Sequence, residues 1–179
     1  MSEPHSALNA MTEEAARAAL SCCCGSTRWV LQMLRQRPFA STASMQQAAH
    51  DIWSTLERAD YLEAFAHHPQ IGADLDSLRE KFGAPRAQSL SLASAEQSGV
   101  GSASEPVLLA LQAENQAYLQ RFGYIFIVCA TGKTADEMLA LLRARRHNDA
   151  QLELSLAATE QSKITALRLG KLSTTRLSP

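Results

Sequence analysis

The stretch YIFIVCA, residues 124–130, is the only strongly β-prone segment in this chain of 179 residues. A strand must pair its backbone N–H and C=O groups with a second strand, and no other run of β-branched and aromatic residues offers one. The remainder is rich in Ala, Leu, Glu, Gln, Arg and Met, which favour helices. The sequence therefore predicts an all-α fold in which 124–130 is a buried extended connector.

Helix caps and breakers predict seven or eight helices around that connector. The predicted N-caps are Thr12, Ser44 with Gln47 as a capping box, Asp60, Thr134 with Glu137 as a second capping box, and Asn148 or Asp149. The predicted helices cover 13–24, 26–36, 45–57, 61–67, 105–121, 135–146 and 150–170. Residues 84–105, rich in Ser, Ala, Gly and Pro, are expected to form a connector with one short helix. In the last helix, the apolar spacing predicts that the core is faced by Leu152, Leu156, Ile164 and either Leu167 or Leu169.

The length and composition are typical of a single domain, because 46% of the residues are hydrophobic and can form a core. We expect one helical domain over 1–179, with its core at about 7–172 and a short flexible C-terminal tail. The net charge of −1 gives no strong field of either sign. Nucleic acid and anionic membrane surfaces are therefore not expected partners.

The N-terminal residues contain no basic region followed by an apolar one, and no apolar run approaches the roughly 18–20 residues of a membrane span. We therefore expect a cytoplasmic protein that does not enter the membrane. The four cysteines lack the paired spacing of a zinc site. They are Cys22, Cys23, Cys24 and Cys129, and we interpret them as small apolar thiols rather than metal ligands.

Two adjacent histidines precede a proline in AFAHHPQIGADL, residues 64–75. Since the residue before a proline is disfavoured in the α region, the helix must end there and Pro69 stiffens the backbone beside His68. One interpretation is a polar helix end that suits the helix dipole. The other is an imidazole aimed into a pocket, and because neighbouring residues at a helix end diverge, only one of His67 and His68 would be catalytic.

The segment SLASAEQSGV, residues 91–100, also has two interpretations. As a capping box, Ser94 is the N-cap and Gln97 lies at the third helical position. Glu96 then falls in the first turn, near backbone N–H groups that can also bind an anion. The segment therefore predicts either a simple helix start or part of a site.

Three arginines, Arg143, Arg145 and Arg146, lie within LLRARRHND, residues 141–149. They suit the C-terminal end of a helix, but an arginine can also grip a carboxylate through two N–H groups. His, Glu and Arg together, without a phosphate-binding loop or nucleophile elbow, indicate proton transfer on a small anionic molecule.

In this order, the motifs HHPQIGADL, SAEQSGV, ENQAYLQRFGYIFIVCATGKT and RRHNDAQLEL resemble the 2-oxo-4-hydroxy-4-carboxy-5-ureidoimidazoline (OHCU) decarboxylases of urate degradation. CCGSTRWVLQMLRQRPF resembles the first helix pair of that family. The likeness covers about residues 7–172. It implies an all-helical, commonly dimeric enzyme that converts the ureidoimidazoline acid to (S)-allantoin and CO₂ without metal or organic cofactor.

The resemblance also implies a set of site residues. His68 and Glu96 correspond to the family's catalytic histidine and glutamate. The implied substrate-binding residues are Pro69, Ala93, Ser94, Gln97, Phe126, Ile127, Val128, Cys129, Ala130 and Arg145. One departure is Ala93, which stands where many members of the family have serine. Either Ser94 or a backbone group replaces that contact, or one substrate contact is missing.

Two other functions remain open from the sequence. The first is a non-catalytic helical interaction domain, in which the His-Pro turn and the SAEQ segment only end and begin helices. The second is a metal-dependent hydrolase that uses His67, His68, Asp74 and Asp76. Adjacent histidines rarely bind one ion, because their side chains diverge.

Overall fold

The structure, a computed structural model, describes residues 3–68 and 104–172. Within these ranges it contains eight α-helices and no β-strand, which confirms the predicted all-α fold. The helices are α1 Pro4–Ala10, α2 Glu13–Cys23, α3 Thr27–Arg35, α4 Thr42–Ser54, α5 Arg58–Ala66, α6 Glu105–Phe122, α7 Ala135–Arg145 and α8 Ala150–Gly170. None of these eight helices has the length and apolar character needed to cross a membrane.

The chain divides into two compact units. One unit consists of Met1–His67 and Ser162–Pro179, and the other of His68–Gln161. Helix α8 therefore contributes its first part to the second unit and its last part to the first.

Trp29 organises the core of the first unit. Its backbone N–H donates to the hydroxyl of Ser26, the N-cap of α3, and its indole Nε1 donates to the Ala49 carbonyl of α4 over 3.0 Å. The side chain is fully buried. A buried indole needs a partner for its single N–H group, so this hydrogen bond fixes how α3 packs on α4.

Aromatic side chains form the core of the second unit. Tyr118 of α6 is fully buried, and its ring centroid lies 4.6 Å from that of Phe122 and 5.3 Å from that of Phe126. Gly123 ends α6 with φ of 77°, a left-handed conformation that glycine adopts without steric cost. This turn sends the chain back across the rings of α6.

Residues 125–130 have no regular secondary structure, and Phe126, Ile127 and Val128 are buried. The predicted buried connector is thus confirmed. Helix α7 then begins with the predicted capping box of Thr134 and Glu137.

Several predicted boundaries were wrong because other polar side chains provide the caps. Helix α4 begins three residues earlier than predicted, since Ser41 and Ser44 form the capping box. In α5 the N-cap is Glu57, and Asp60 lies at the third helical position, where its carboxylate accepts the Glu57 N–H. Helix α1 was not predicted at all.

Leu152 was also wrongly predicted to face the core, and 48% of its surface is exposed. The next residue, Glu153, is fully buried. Neighbouring residues on a helix differ in direction by about 100°, so a buried Glu153 turns Leu152 outward. The short helix predicted within 84–105 lies largely outside the described residues, as does the tail beyond 172.

Candidate active site

The structure describes seven of the predicted site residues. They are His68, Phe126, Ile127, Val128, Cys129, Ala130 and Arg145, and all belong to the second unit. Pro69, Ala93, Ser94, Glu96 and Gln97 lie outside the described residues, so their predicted roles are not tested. The described part of the site therefore consists of the histidine, the connector and the arginine.

His68 is hydrogen-bonded to Gln161 of α8. Its Nε2 lies 2.5 Å from the amide oxygen Oε1 of Gln161. His68 is half-buried, whereas Gln161 is fully buried. Because an amide oxygen only accepts hydrogen bonds, the Nε2 of His68 is the donor in this geometry.

His67, the C-cap of α5, has a different environment. It is exposed, and its Nδ1 donates to the Glu63 carbonyl of its own helix over 2.9 Å. A Cβ atom at Gly25 would lie only 2.3 Å from the His67 Cγ, so the ring is packed directly on that glycine. His67 is thus held by α5 and Gly25, while His68 bonds to α8.

Arg145 is buried at the end of α7 and anchors the connector. Its Nη1 donates to the Ile127 carbonyl over 2.9 Å, and its guanidinium carbon lies 4.7 Å from the ring centroid of Phe126. Its Nε and Nη2 both donate to Oε1 of Glu153, over 2.9 and 2.6 Å. A substrate contact by Arg145 would have to use the second N–H on one of its terminal nitrogens.

Glu153 is the centre of a buried polar network. Besides Arg145, its carboxylate accepts from the Tyr118 hydroxyl over 2.5 Å and from the Asn148 amide over 2.8 Å. Burial raises the pKa of Tyr118, and the hydrogen bond to Glu153 raises it further. The phenol therefore stays a neutral donor, and the network holds α6, α7 and α8 together.

A second contact from α8 fixes the connector near its end. The backbone N–H of Cys129 donates to Oε2 of Glu160 over 2.7 Å. This N–H was one of the predicted substrate donors, but it is already used within the protein. A carboxylate that holds a backbone N–H restricts the rotation of the adjacent peptide groups, including that of Ala130.

Sequence reasoning missed three polar residues of α8: Glu153, Glu160 and Gln161. A signal was present, because Glu153, Ala157 and Gln161 follow at intervals of four on one helix face, and all three are fully buried. A buried Glu or Gln on an otherwise apolar face requires a partner. Helical spacing alone does not identify that partner.

A cavity of about 300 Å³ lies within the first unit, between α4 and the last part of α8. Gln46, His50, Trp53 and Ser162 are among its lining residues. None of the predicted site residues lines it, so we do not assign the proposed chemistry to it.

No group of three or more His, Cys, Asp or Glu side chains that could hold a metal ion occurs in the described part of the chain. The hydrolase interpretation also uses Asp74 and Asp76, which are not among the described residues. The acid–base groups that the structure does place are the His68 imidazole and the α8 carboxylates. His68 can exchange a proton, and it bonds to Gln161, whose neighbour Glu160 holds the connector at Cys129.

Comparison with known proteins gives consistent matches. The family model for OHCU decarboxylase matches residues 9–170. The chain is 40% identical over 152 residues to the uric acid degradation bifunctional protein TTL of Arabidopsis thaliana, covering 84% of this chain and 45% of that protein. It is 26% identical over 144 residues to the 2-oxo-4-hydroxy-4-carboxy-5-ureidoimidazoline decarboxylase of Haloferax volcanii, covering 80% of each chain.

A crystal structure of OHCU decarboxylase in the presence of (S)-allantoin has the same fold. It superposes with a TM-score of 0.69 at 34% identity, over 90% of this chain and 98% of that chain. The chain spans less than half the length of the bifunctional relatives, 45% of the Arabidopsis protein and 26% of PucL of Bacillus subtilis. Since the family model extends over nearly all of the described helices, the chain belongs to the OHCU decarboxylase family.

Proposed function

We propose that this protein decarboxylates 2-oxo-4-hydroxy-4-carboxy-5-ureidoimidazoline to (S)-allantoin without a cofactor. The observation that carries the proposal is the match, at 34% identity and over 98% of its length, to an OHCU decarboxylase crystallised in the presence of (S)-allantoin. The proposed substrate is a small anionic molecule. The near-neutral charge of the chain is compatible with such a substrate.

The reaction needs little beyond positioning and one proton. Breaking the bond between carbon and the carboxylate releases CO₂ and leaves the electron pair on the ring carbon. The pair moves into the neighbouring carbon–nitrogen double bond, and the hydroxyl on the decarboxylated carbon loses its proton to become the ring carbonyl of allantoin. A proton delivered to one face of the neighbouring carbon, which bears the ureido group, then gives a single enantiomer. Fixed donors that face the developing charge stabilise the transition state most.

His68 is the proposed general acid–base, since an imidazole can take and give a proton near neutral pH. Glu96 would orient His68 or the ureido group, and the Gln97 amide would bind a substrate oxygen. Pro69, Ala93 and Ser94 would complete the pocket wall. These roles are supported by the family resemblance, and for His68 also by its partly buried, hydrogen-bonded position.

The connector and Arg145 are the proposed binding elements for the substrate. The Cys129 N–H donates to Glu160, so the proposed backbone contacts fall on its neighbours Phe126, Ile127, Val128 and Ala130. Arg145 holds the Ile127 carbonyl, and we propose that its remaining N–H groups reach a substrate oxygen. The connector is thus both the wall of the site and the segment that Arg145 positions.

We further propose that the chain works as one domain, as a homodimer and in the cytoplasm. The family model runs without interruption through both compact units, which supports a single domain. Light scattering on the purified protein would test the dimer. A mass of one chain would contradict it.

A coupled assay tests the proposed activity. Urate oxidase and the following hydrolase generate the unstable substrate in place, and circular dichroism follows the appearance of (S)-allantoin. The protein should produce the optically active product faster than the spontaneous reaction gives its racemic one. The alternative of a non-catalytic interaction domain predicts neither turnover nor allantoin binding by calorimetry.

A further inference from the structure

The imidazole of His68 has a partner that the family resemblance did not indicate. Gln161 projects from α8 with no exposed surface, and its Oε1 is 2.5 Å from the His68 Nε2. We propose that Gln161 is a positioning residue that keeps the His68 proton on Nε2, so that Nδ1 is the nitrogen that exchanges a proton with the substrate. This inference rests on the proposed decarboxylase function.

The protonation of the His68 ring decides which of its nitrogens can donate to Gln161. A neutral imidazole carries one proton, and the nitrogen without it has a lone pair. If the proton were on Nδ1, the Nε2 lone pair would face the lone pairs of the Gln161 oxygen. With the Gln161 amide oriented so that its oxygen faces the ring, the contact favours the neutral form with Nε2–H, and the doubly protonated imidazolium keeps the same hydrogen bond.

The position of Gln161 is rigid enough for this task. It lies in the twelfth position of a 21-residue helix, so its backbone is fixed by hydrogen bonds on both sides. Its neighbour Glu160 holds the Cys129 N–H over 2.7 Å, which ties this turn of α8 to the connector. Adjacent residues of one helix turn thus hold both the imidazole and the proposed substrate-binding backbone.

The neutral amide is also suited to a group that must give and take a proton. A carboxylate in its place would favour the imidazolium, because opposite charges attract. An apolar side chain would leave the Nε2–H without its acceptor, and the ring could then rotate or change tautomer. Gln161 accepts one hydrogen bond in both protonation states without adding charge.

Nitrogen-15 NMR of the full-length protein tests the tautomer directly. The five histidines are labelled, and the His68 signals are assigned by their loss in His68→Asn. In the wild type, we expect long-range correlations showing a protonated Nε2 and an unprotonated Nδ1. In Gln161→Met the Nδ1–H form should become populated, whereas Gln161→Glu, which retains an acceptor, should keep the proton on Nε2.

Kinetics then separate positioning from folding. Gln161→Met should lower kcat by roughly tenfold or more with little change in KM, because general acid–base catalysis is worth about 100-fold to 10,000-fold. The kcat of Gln161→Glu should lie between that of Gln161→Met and that of the wild type, because the carboxylate still accepts the Nε2–H. Gln151→Met, at an exposed glutamine of the same helix, is the matched control and should leave kcat unchanged.

The outcomes distinguish this inference from the proposed function. An Nδ1–H form in the wild type, or an unaltered tautomer and kcat in Gln161→Met, overturns the role of Gln161 even if the wild type is an active decarboxylase. Absence of wild-type turnover overturns the proposed function itself, whatever the tautomer. If Gln161→Met does not fold, the wild-type spectrum and the Gln161→Glu spectrum still test the inference, because an Nδ1–H form in either one overturns it.

Discussion

Arg145 and Glu153 form a buried ion pair in which Nε and Nη2 of the arginine both donate to one carboxylate oxygen, over 2.9 and 2.6 Å. The side chains are 10% and 0% exposed. Tyr118 and Asn148 also donate to this carboxylate. The Glu153 carboxylate therefore accepts four hydrogen bonds from three residues. This pair joins the RRHND motif to the body of α8.

The first prediction concerns the stability of this pair. Glu153→Gln leaves the Arg145 guanidinium buried without its counter-charge and should lower the free energy of unfolding by about 3–5 kcal/mol. Denaturant unfolding followed by circular dichroism measures the change. The control is Glu13→Gln in the exposed Glu13–Arg17 pair, where about 0.5 kcal/mol or less is expected. Equal effects of the two substitutions would refute a structural role for Glu153.

The second prediction separates the adjacent histidines. His68→Asn and His68→Ala should each reduce turnover of freshly generated substrate by about 100-fold or more, because the proposed acid–base group is lost. His67→Asn should stay near wild-type turnover, since His67 is exposed and bonds to its own helix. The coupled circular dichroism assay measures all three. Near wild-type activity in either His68 variant would exclude His68 as the catalytic residue.

The third prediction concerns the close approach of Gly25 and His67. A Cβ at position 25 would lie 2.3 Å from Cγ and 2.5 Å from Cβ of His67. Gly25→Ala should therefore cost about 1–3 kcal/mol by overpacking.

A double-mutant cycle tests the cause of that cost. Combining Gly25→Ala with His67→Gly should relieve the loss, because all three clashing atoms of His67, Cγ, Cβ and Nδ1, are removed. Combining it with His67→Ala should relieve only part of the loss, because the His67 Cβ, at 2.5 Å, remains. Equal recovery in the two double variants would show that another contact is responsible.

The fourth prediction uses the reactivity of the neighbouring cysteines. Burial raises the pKa of Cys24 to about 11, whereas Cys22 is exposed. Brief alkylation of the folded protein at pH 8 should modify Cys22 and leave Cys24 unmodified, because the thiolate is the reactive species. Peptide mass spectrometry identifies the modified residue, and modification of Cys24 at the rate of Cys22 would contradict its burial.

The raised pKa of Cys24 also predicts how the stability of the fold depends on pH. The folded state holds the Cys24 proton more tightly than the unfolded state, whose pKa is 9.0. The resulting stabilisation is complete below pH 9 and is lost as the pH rises towards 11. Between pH 8 and pH 11, the Tm of thermal unfolding should fall more steeply for the wild type than for Cys24→Ala. Parallel decreases of the two Tm values would rule out a contribution from Cys24.

The helices could be predicted from local rules because their signals are local. The Thr134–Glu137 capping box depends on two residues three positions apart, and it was predicted correctly. At α4 the sequence offered two serines, and the choice of Ser41 over Ser44 as N-cap depends on backbone dihedrals that composition does not specify. Leu152 was misplaced because apolar spacing does not reveal that a charged neighbour is buried.

The sequence by itself determined the helical class and the buried connector at 124–130, because both depend on propensity and periodicity over short distances. It also determined the family, through the order of its motifs. Only the tertiary structure decided which groups meet: His68 with Gln161, 93 positions apart, and Glu160 with Cys129, 31 positions apart. Such pairings depend on how packed helices orient side chains in three dimensions, and no local rule contains that orientation.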